Sequence, residues 1–259
     1  MCPQRTDSAC SRGKSGCPML GVGIASLDGS AVRTGRREDM MDYAQLKERH
    51  RAERVAWHPN LSLRVHRALS WLDRAEQLGG QDDADGQFIL LWIAFNAAYA
   101  TEIDEKYRDS EQQTFRGFLD KLTQLDTAKK RFDALAWTEF PKSIRVLLDN
   151  PYVFADFWKF QNRSLPEPAW KASFAAANKA AHVALGRQDT VTVLSIVLSR
   201  IYTLRNQLIH GGATWNGSVN REQLRDCVNL MGKLVPLVIE VMMDHPETLW
   251  GDAVYPVVK

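Results

Sequence analysis

The chain has 259 residues, of which 45% are hydrophobic and 25% are charged, and its formal net charge at pH 7 is +2. These values are typical of a globular protein with a sizeable core. They argue against a strongly basic protein that binds nucleic acid through its overall charge, although a small basic patch would suffice for a local cleft. No apolar run approaches the length of a bilayer span, so no membrane partner is expected.

The first forty residues differ from the rest of the chain. Residues 1–40 are rich in Gly, Ser and Arg, contain three of the four cysteines and have no apolar periodicity. Such a segment cannot bury enough apolar surface to order itself, so we predict a disordered tail or an artefact of the start site, with Met40 or Met41 as the true start. The cysteine spacings fit no zinc site, and no metal or other cofactor is expected. With few cysteines elsewhere, a reducing, cytoplasmic location is predicted.

Two core helices are predicted next. The first runs from Asn60 as N-cap to Leu78, with apolar residues at three- and four-residue spacing and two glycines at its end. The second, Phe88–Ile103, is apolar nearly all round and should therefore be central. It carries Asn96, an amide that must find a hydrogen-bond partner in such surroundings or cost a few kcal/mol.

Residues 104–188 form a predicted long helical insertion between the second and third core helices. Basic and aromatic residues interleave in it, which suits single-stranded nucleic acid. The alternative, which we favour, is that aromatic residues at helical spacing belong to the core and the charged residues form a solvated face. The aromatic residues concerned are Phe115, Phe118, Phe132 and Trp137.

The third core helix is predicted from Thr190 to His210. Its apolar residues repeat at i, i+3, i+4 and i+7, Asp189 is a suitable N-cap, and Gly211 is suited to the left-handed conformation that ends a helix. A fourth helix should begin at Asn220, with Gln223 as its capping-box partner. The sequence therefore predicts an all-α fold, an up-down bundle of four core helices within a single domain over residues 41–259.

The end of the third helix carries residues suited to phosphodiester chemistry. Asn206 and His210 are four residues apart and share a face, while Arg205 can reach the same patch. A guanidinium binds phosphate oxygens, and an imidazole can accept or donate a proton at cellular pH. Metal-independent RNA cleavage through the 2′-hydroxyl needs these groups. The alternative is that Arg and His only complement the helix dipole and the two glycines only end the helix.

These residues carry a family resemblance. Arg205-Asn206-x-x-x-His210 resembles the R-polar-x-x-x-H signature of the HEPN superfamily of all-helical domains. The segment Leu91–Tyr99 resembles the aromatic-rich helix with an embedded Asn found in several HEPN subgroups. The segment from Asp244 to Pro256 resembles the short tail that follows the last helix in some members. The resemblance covers roughly residues 58–259.

The resemblance implies a metal-independent endoribonuclease that acts as a homodimer, with the two motifs meeting at the interface. Arg205 would stabilise the scissile phosphate, His210 would be the general acid or base, and Asn206 would orient the imidazole or the phosphate. Asn96 would either support this site or fix helix register. Such a ribonuclease would be a toxin or antiviral defence effector, held in check by an antitoxin or regulatory protein. The alternative is a non-catalytic helical module that binds RNA or a partner protein.

Overall fold

The computed structural model describes residues 41–100, 111–218 and 220–253, without the side chains of residues 111 and 112. Helices dominate these ranges and no β-strand occurs in them, which confirms the predicted all-α class. The α-helices are α1 (Tyr43–Glu53), α2 (Pro59–Gly79), α3 (Ala84–Tyr99), α4 (Glu111–Leu125), α5 (Arg131–Ala134), α6 (Pro141–Asp149), α7 (Ala155–Gln161), α8 (Glu167–Gly186), α9 (Thr190–Ile209) and α10 (Arg221–Asp244).

Several predicted features lie outside the described residues. These are the tail of residues 1–40, the predicted end of the second core helix at Ile103 and the last residues of the C-terminal segment. Within the described ranges, no helix combines the length and the apolar character that a bilayer span requires.

The first two core helices begin earlier than the sequence predicted. Pro59 occupies the first turn of α2, and the N-cap is His58, whose Nδ1 accepts the backbone N–H of Asn60 at 3.3 Å, so Asn60 was the wrong cap. In α3, the Asp83 carboxylate accepts the backbone N–H of Gly86 at 2.9 Å. This cap starts the helix at Ala84 rather than Phe88, because it satisfies an N–H group that would otherwise lack a partner.

Helix α3 is central, as its apolar character predicted. It packs along α2 and α10 and also contacts α9. Phe88, Trp92 and Phe95 are among the largest fully buried side chains in the described core. Burial of each such ring stabilises the fold by about 2–3 kcal/mol relative to exposure.

Helix α4 joins this core from within the predicted insertion. It packs along α9, and its Phe115, Leu119 and Leu122 are fully buried. Phe132 is also buried, and Phe118 and Trp137 are partly buried against the core. The burial of these rings supports the core interpretation of the interleaved aromatic residues. The core thus includes α4 beside the four predicted helices, and the up-down order of the bundle stays a prediction.

The α7–α8 hairpin is attached to α9 through aromatic contacts. Phe154 and Phe174 lie 5.2 Å apart between ring centres, and the guanidinium of Arg200 lies 4.4 Å from the Phe154 ring. Burial lowers the pKa of Arg200 to about 10 despite the opposing effect of Asp149. The aromatic residues that follow Pro151 therefore help to join the insertion to the core.

The predicted ends of α9 and the predicted start of α10 at Asn220 are confirmed, whereas the predicted capping box of α10 does not form. Asp189 accepts the backbone N–H of Thr192 at 3.0 Å, and Gly211 adopts a φ of +72° directly after the helix. Asn220 precedes α10 but is left-handed, with a φ of 60°, and its side chain caps nothing. That amide donates instead to Gln207 Oε1 at 3.4 Å, because the left-handed backbone turns it away from the first turn of α10.

Candidate functional site

Arg205 lies near the C-terminal end of α9 and is half-buried. Its Nη1 donates to Asn206 Oδ1 at 2.9 Å, and the guanidinium carbon lies 5.8 Å from the centre of the Tyr202 ring. Its Nε is buried without a hydrogen-bond partner. No carboxylate of the described chain forms an ion pair with Arg205, so its charge is balanced only by a neutral amide and an aromatic face. Such a cation can bind an incoming anion without first breaking a salt bridge.

His210 stands at the end of the same helix and is exposed to solvent. Its backbone N–H donates to the carbonyl of Asn206 at 3.0 Å, so the helical path continues as far as this residue. At about 100° of rotation per residue, Asn206 and His210 are about 40° apart around the helix, and Arg205 lies beyond Asn206. The three predicted residues therefore share one end of α9, with Asn206 between the cation and the imidazole.

Gln207 lies next to His210 around the helix, on the side away from Arg205, and it contacts Tyr152. Gln207 Nε2 donates to the backbone carbonyl of Tyr152 at 2.7 Å, and the Tyr152 side chain is 50% exposed. Gln207 was within reach of sequence reasoning, because it lies inside the motif. Tyr152 was not, since a contact across 55 positions leaves no local pattern.

Asn96 is half-buried on α3, but no hydrogen bond in the described ranges joins its side chain to Arg205, Asn206 or His210. A different residue of α3, Trp92, contacts Tyr202, which lies three residues before Arg205. Trp92 lies 5.7 Å from Tyr202 between ring centres, and the Tyr202 ring lies beneath Arg205. The structure thus brings Arg205, Asn206 and His210 to one helix end, and the supporting role of Asn96 stays a prediction.

The loop after His210 is anchored to the start of α3. Asp85, which is buried, accepts from Arg221 Nη1 at 2.6 Å, from Arg221 Nη2 at 2.8 Å and from the backbone N–H of Asn216 at 3.0 Å. The hydrogen bonds to Asp85 raise the pKa of Arg221 above its ordinary value. Trp215 adds a hydrogen bond to Asp83 at 3.1 Å. This anchor fixes the path by which the chain leaves the motif.

No group of three or more His, Cys, Asp or Glu residues in the described ranges is arranged to hold a metal ion. The one described cysteine, Cys227, is fully buried, and burial raises the pKa of its thiol far above the ordinary value. It is therefore a core residue and not a reactive thiol.

Comparisons of this chain with protein-family models, with curated proteins and with solved structures find no match.

Proposed function

We propose that this protein is a metal-independent endoribonuclease whose active site is the end of α9. The observation that carries the proposal is the state of Arg205, which has no carboxylate partner among the described residues and bonds only to the neutral amide of Asn206. It lies at the same helix end as the exposed imidazole of His210. The resemblance of these residues to the HEPN signature supports the same assignment.

In the proposed reaction the substrate supplies the nucleophile. The 2′-hydroxyl oxygen attacks the adjacent phosphorus and gives up its proton to a base, while the bond from phosphorus to the 5′-oxygen breaks and that oxygen receives a proton. The products are a 2′,3′-cyclic phosphate and a 5′-hydroxyl end. His210 transfers one of these protons, and Arg205 stabilises the charge that develops on the phosphate oxygens.

The second proton-transfer group would come from another copy of the chain. A homodimer with the α9 ends facing each other would bring two copies of His210 to one phosphate, one as base and one as acid. The purified protein should then have twice the chain mass of 29.3 kDa by light scattering. In the cell, we propose a cytoplasmic toxin or antiviral defence effector controlled by an antitoxin or regulatory protein.

The test is RNA cleavage by purified protein in excess EDTA. His210→Ala should lower the rate by about 10²-fold or more, the usual effect of losing an acid–base group. Arg205→Ala should have a similar effect, because the transition state loses its cation. Arg74→Ala is the matched control, since Arg74 lies exposed on α2 and also donates through Nη1 to a neutral amide, Gln77, at 2.9 Å. Full activity of both α9 variants would refute the proposal.

The alternative is a non-catalytic module that binds RNA or a partner protein. It is favoured by one observation: no described residue forms a hydrogen bond with the His210 side chain, so none of them orients the imidazole. This alternative predicts binding without turnover by the wild-type protein. It also predicts that His210→Ala leaves RNA affinity within about twofold of wild type, because an exposed side chain that nothing holds in place adds little to binding.

A further inference from the structure

Tyr152 contacts the end of α9 through its backbone carbonyl and carries a half-exposed aromatic ring. Tyr152 lies in a short 3₁₀ turn, Pro151–Val153, between α6 and α7. Half of its side chain is open to solvent, whereas neighbouring Val153 is buried. A half-exposed tyrosine offers a flat, largely apolar surface to an incoming partner.

The position of Tyr152 follows from the geometry of α9. At about 100° per residue, the residues at the end of the helix follow one another around it in the order Arg205, Ile209, Asn206, His210 and Gln207. Gln207 then bonds to the Tyr152 carbonyl at 2.7 Å. His210 therefore lies on the helix between Arg205 on one side and Gln207, which contacts the Tyr152 backbone, on the other.

Tyr152 is also held in place. Its carbonyl accepts a second hydrogen bond, from Trp158 Nε1 at 2.7 Å. Its ring meets the Phe157 ring edge to face, with centres 5.3 Å apart and planes at 83°. A ring fixed in this way loses little conformational freedom when a flat partner stacks on it.

We propose that Tyr152 stacks on a nucleobase of single-stranded RNA next to the phosphate bound by Arg205. This inference rests on the proposed function and names its substrate class. A base of a duplex already has both faces covered by its neighbours, whereas an unpaired base can leave its strand and stack on an aromatic side chain. The site would thus act on single strands and loops and discriminate against duplex RNA.

RNA fits this surface better than a second protein copy does. Apart from Ile209, which is 46% exposed, the side chains that follow Tyr152 around the helix end are polar or charged: Gln207, His210, Asn206 and Arg205. The centre of a protein interface is depleted of charge and rich in apolar groups. A cation and an exposed ring at the same helix end match the alternation of phosphate and base along a single strand.

The experiment measures RNA affinity in the His210→Ala background, so that cleavage does not interfere. A labelled single-stranded RNA of about ten nucleotides, and the same strand annealed to its complement, serve as the probes in fluorescence anisotropy. Tyr152→Ala should weaken binding about tenfold, the effect of losing one stacked base. Tyr152→Phe and Tyr152→Trp should remain within about twofold of the parent, since each keeps a flat ring. Trp71→Ala removes an exposed ring on a different helix, α2, and should leave the RNA affinity unchanged.

The outcomes separate this inference from the proposed function. If the wild type cleaves RNA but Tyr152→Ala in the His210→Ala background binds as tightly as its parent, only the role of Tyr152 is refuted. If Tyr152→Ala halves the molecular mass by light scattering, the ring is a subunit contact and the inference also fails. If the wild type neither binds nor cleaves RNA, both proposals fail. A selective loss of affinity for the single strand, with unchanged mass and melting temperature, supports the inference.

Discussion

Two arginines of this protein have the same local contact in different settings. Arg205 and Arg74 each donate through Nη1 to the side-chain oxygen of a neutral amide at 2.9 Å. Arg205 lies at a helix end beside His210, whereas Arg74 lies on the open surface of α2. A neutral partner does not neutralise the positive charge of the guanidinium. In the proposed site, the neutral side chain of Asn206 therefore leaves Arg205 able to bind an anion.

Asn206→Asp should therefore inactivate the site without harming the fold. The new carboxylate would pair with Arg205 and neutralise it, at a gain in stability of about 0–1 kcal/mol. We expect RNA cleavage to fall at least tenfold and the salt dependence of RNA binding to weaken, because one phosphate contact is lost. Gln77→Glu makes the same charge change beside Arg74 and should leave both measurements unaltered. Cleavage at the wild-type rate by Asn206→Asp would contradict this role of Arg205.

The element that matters most for the motif is the α9 end together with the loop that follows it. Gly211, with its φ of +72°, turns the chain out of the helix. Gly212 then brings its N–H to the Gln207 carbonyl at 2.6 Å, where an added Cβ would lie 2.9 Å from that oxygen. Asp85 on α3 holds the far part of the loop through Arg221 and the Asn216 N–H. Contacts among α3, the loop and the start of α10 thus hold the part of the chain that follows His210.

Asp85→Asn tests this anchor. The substitution keeps the shape but removes the charge that accepts both nitrogens of Arg221, so the free energy of unfolding should fall by about 2 kcal/mol in urea titrations. RNA cleavage should fall as well, since the chain after His210 loses its support. Asp120→Asn is the control, because its pair with Arg116 is exposed and 3.9 Å long, and the change should cost less than about 0.5 kcal/mol. Equal stability of both variants would mean that the loop does not depend on Asp85.

At the scale of the whole molecule, an ionic cluster ties the first and last described helices to the middle of the chain. Asp244, at the end of α10, accepts from Arg49 of α1 at 2.7 Å and from Arg131 of α5 at 3.0 Å. Arg131 also pairs with Asp126 at 2.7 Å and Glu240 at 2.6 Å. Burial alone would raise the pKa of Asp244, but the hydrogen bonds from Arg49 and Arg131 outweigh it and hold the pKa below the ordinary value.

This direction predicts how acid weakens the fold. A carboxylate whose folded pKa is depressed contributes its full stability above the ordinary Asp value of about 3.9 and loses it as the pH falls through the folded pKa. Urea unfolding between pH 6 and pH 3 should show a smaller loss of stability for Asp244→Asn than for the wild type. Asp120→Asn should retain the wild-type loss. The same acid slope for Asp244→Asn and wild type would show that Asp244 is not stabilised as its contacts indicate.

The sequence by itself determined the all-α class, the central place of α3, the extent of α9 and the helix end that carries Arg205, Asn206 and His210. Each of these depends on residues a few positions apart, so apolar periodicity and N-cap chemistry are sufficient to predict them. The wrong cap at Asn60 and the capping box that Asn220 does not form have a related origin. A cap depends on the backbone angles of one residue, and those angles respond to neighbours that the pattern does not contain.

Only the tertiary structure decided what surrounds the motif. The burial of α4 against α9, the Trp92–Tyr202 contact beneath Arg205 and the placement of Tyr152 beside Gln207 all join residues that are far apart in the chain. Such contacts are set by how helices pack and not by the composition of any one of them. The motif could therefore be predicted from the sequence as a local arrangement of three side chains. Its aromatic neighbour, and the single-stranded substrate proposed from it, became visible only once the helices were packed together.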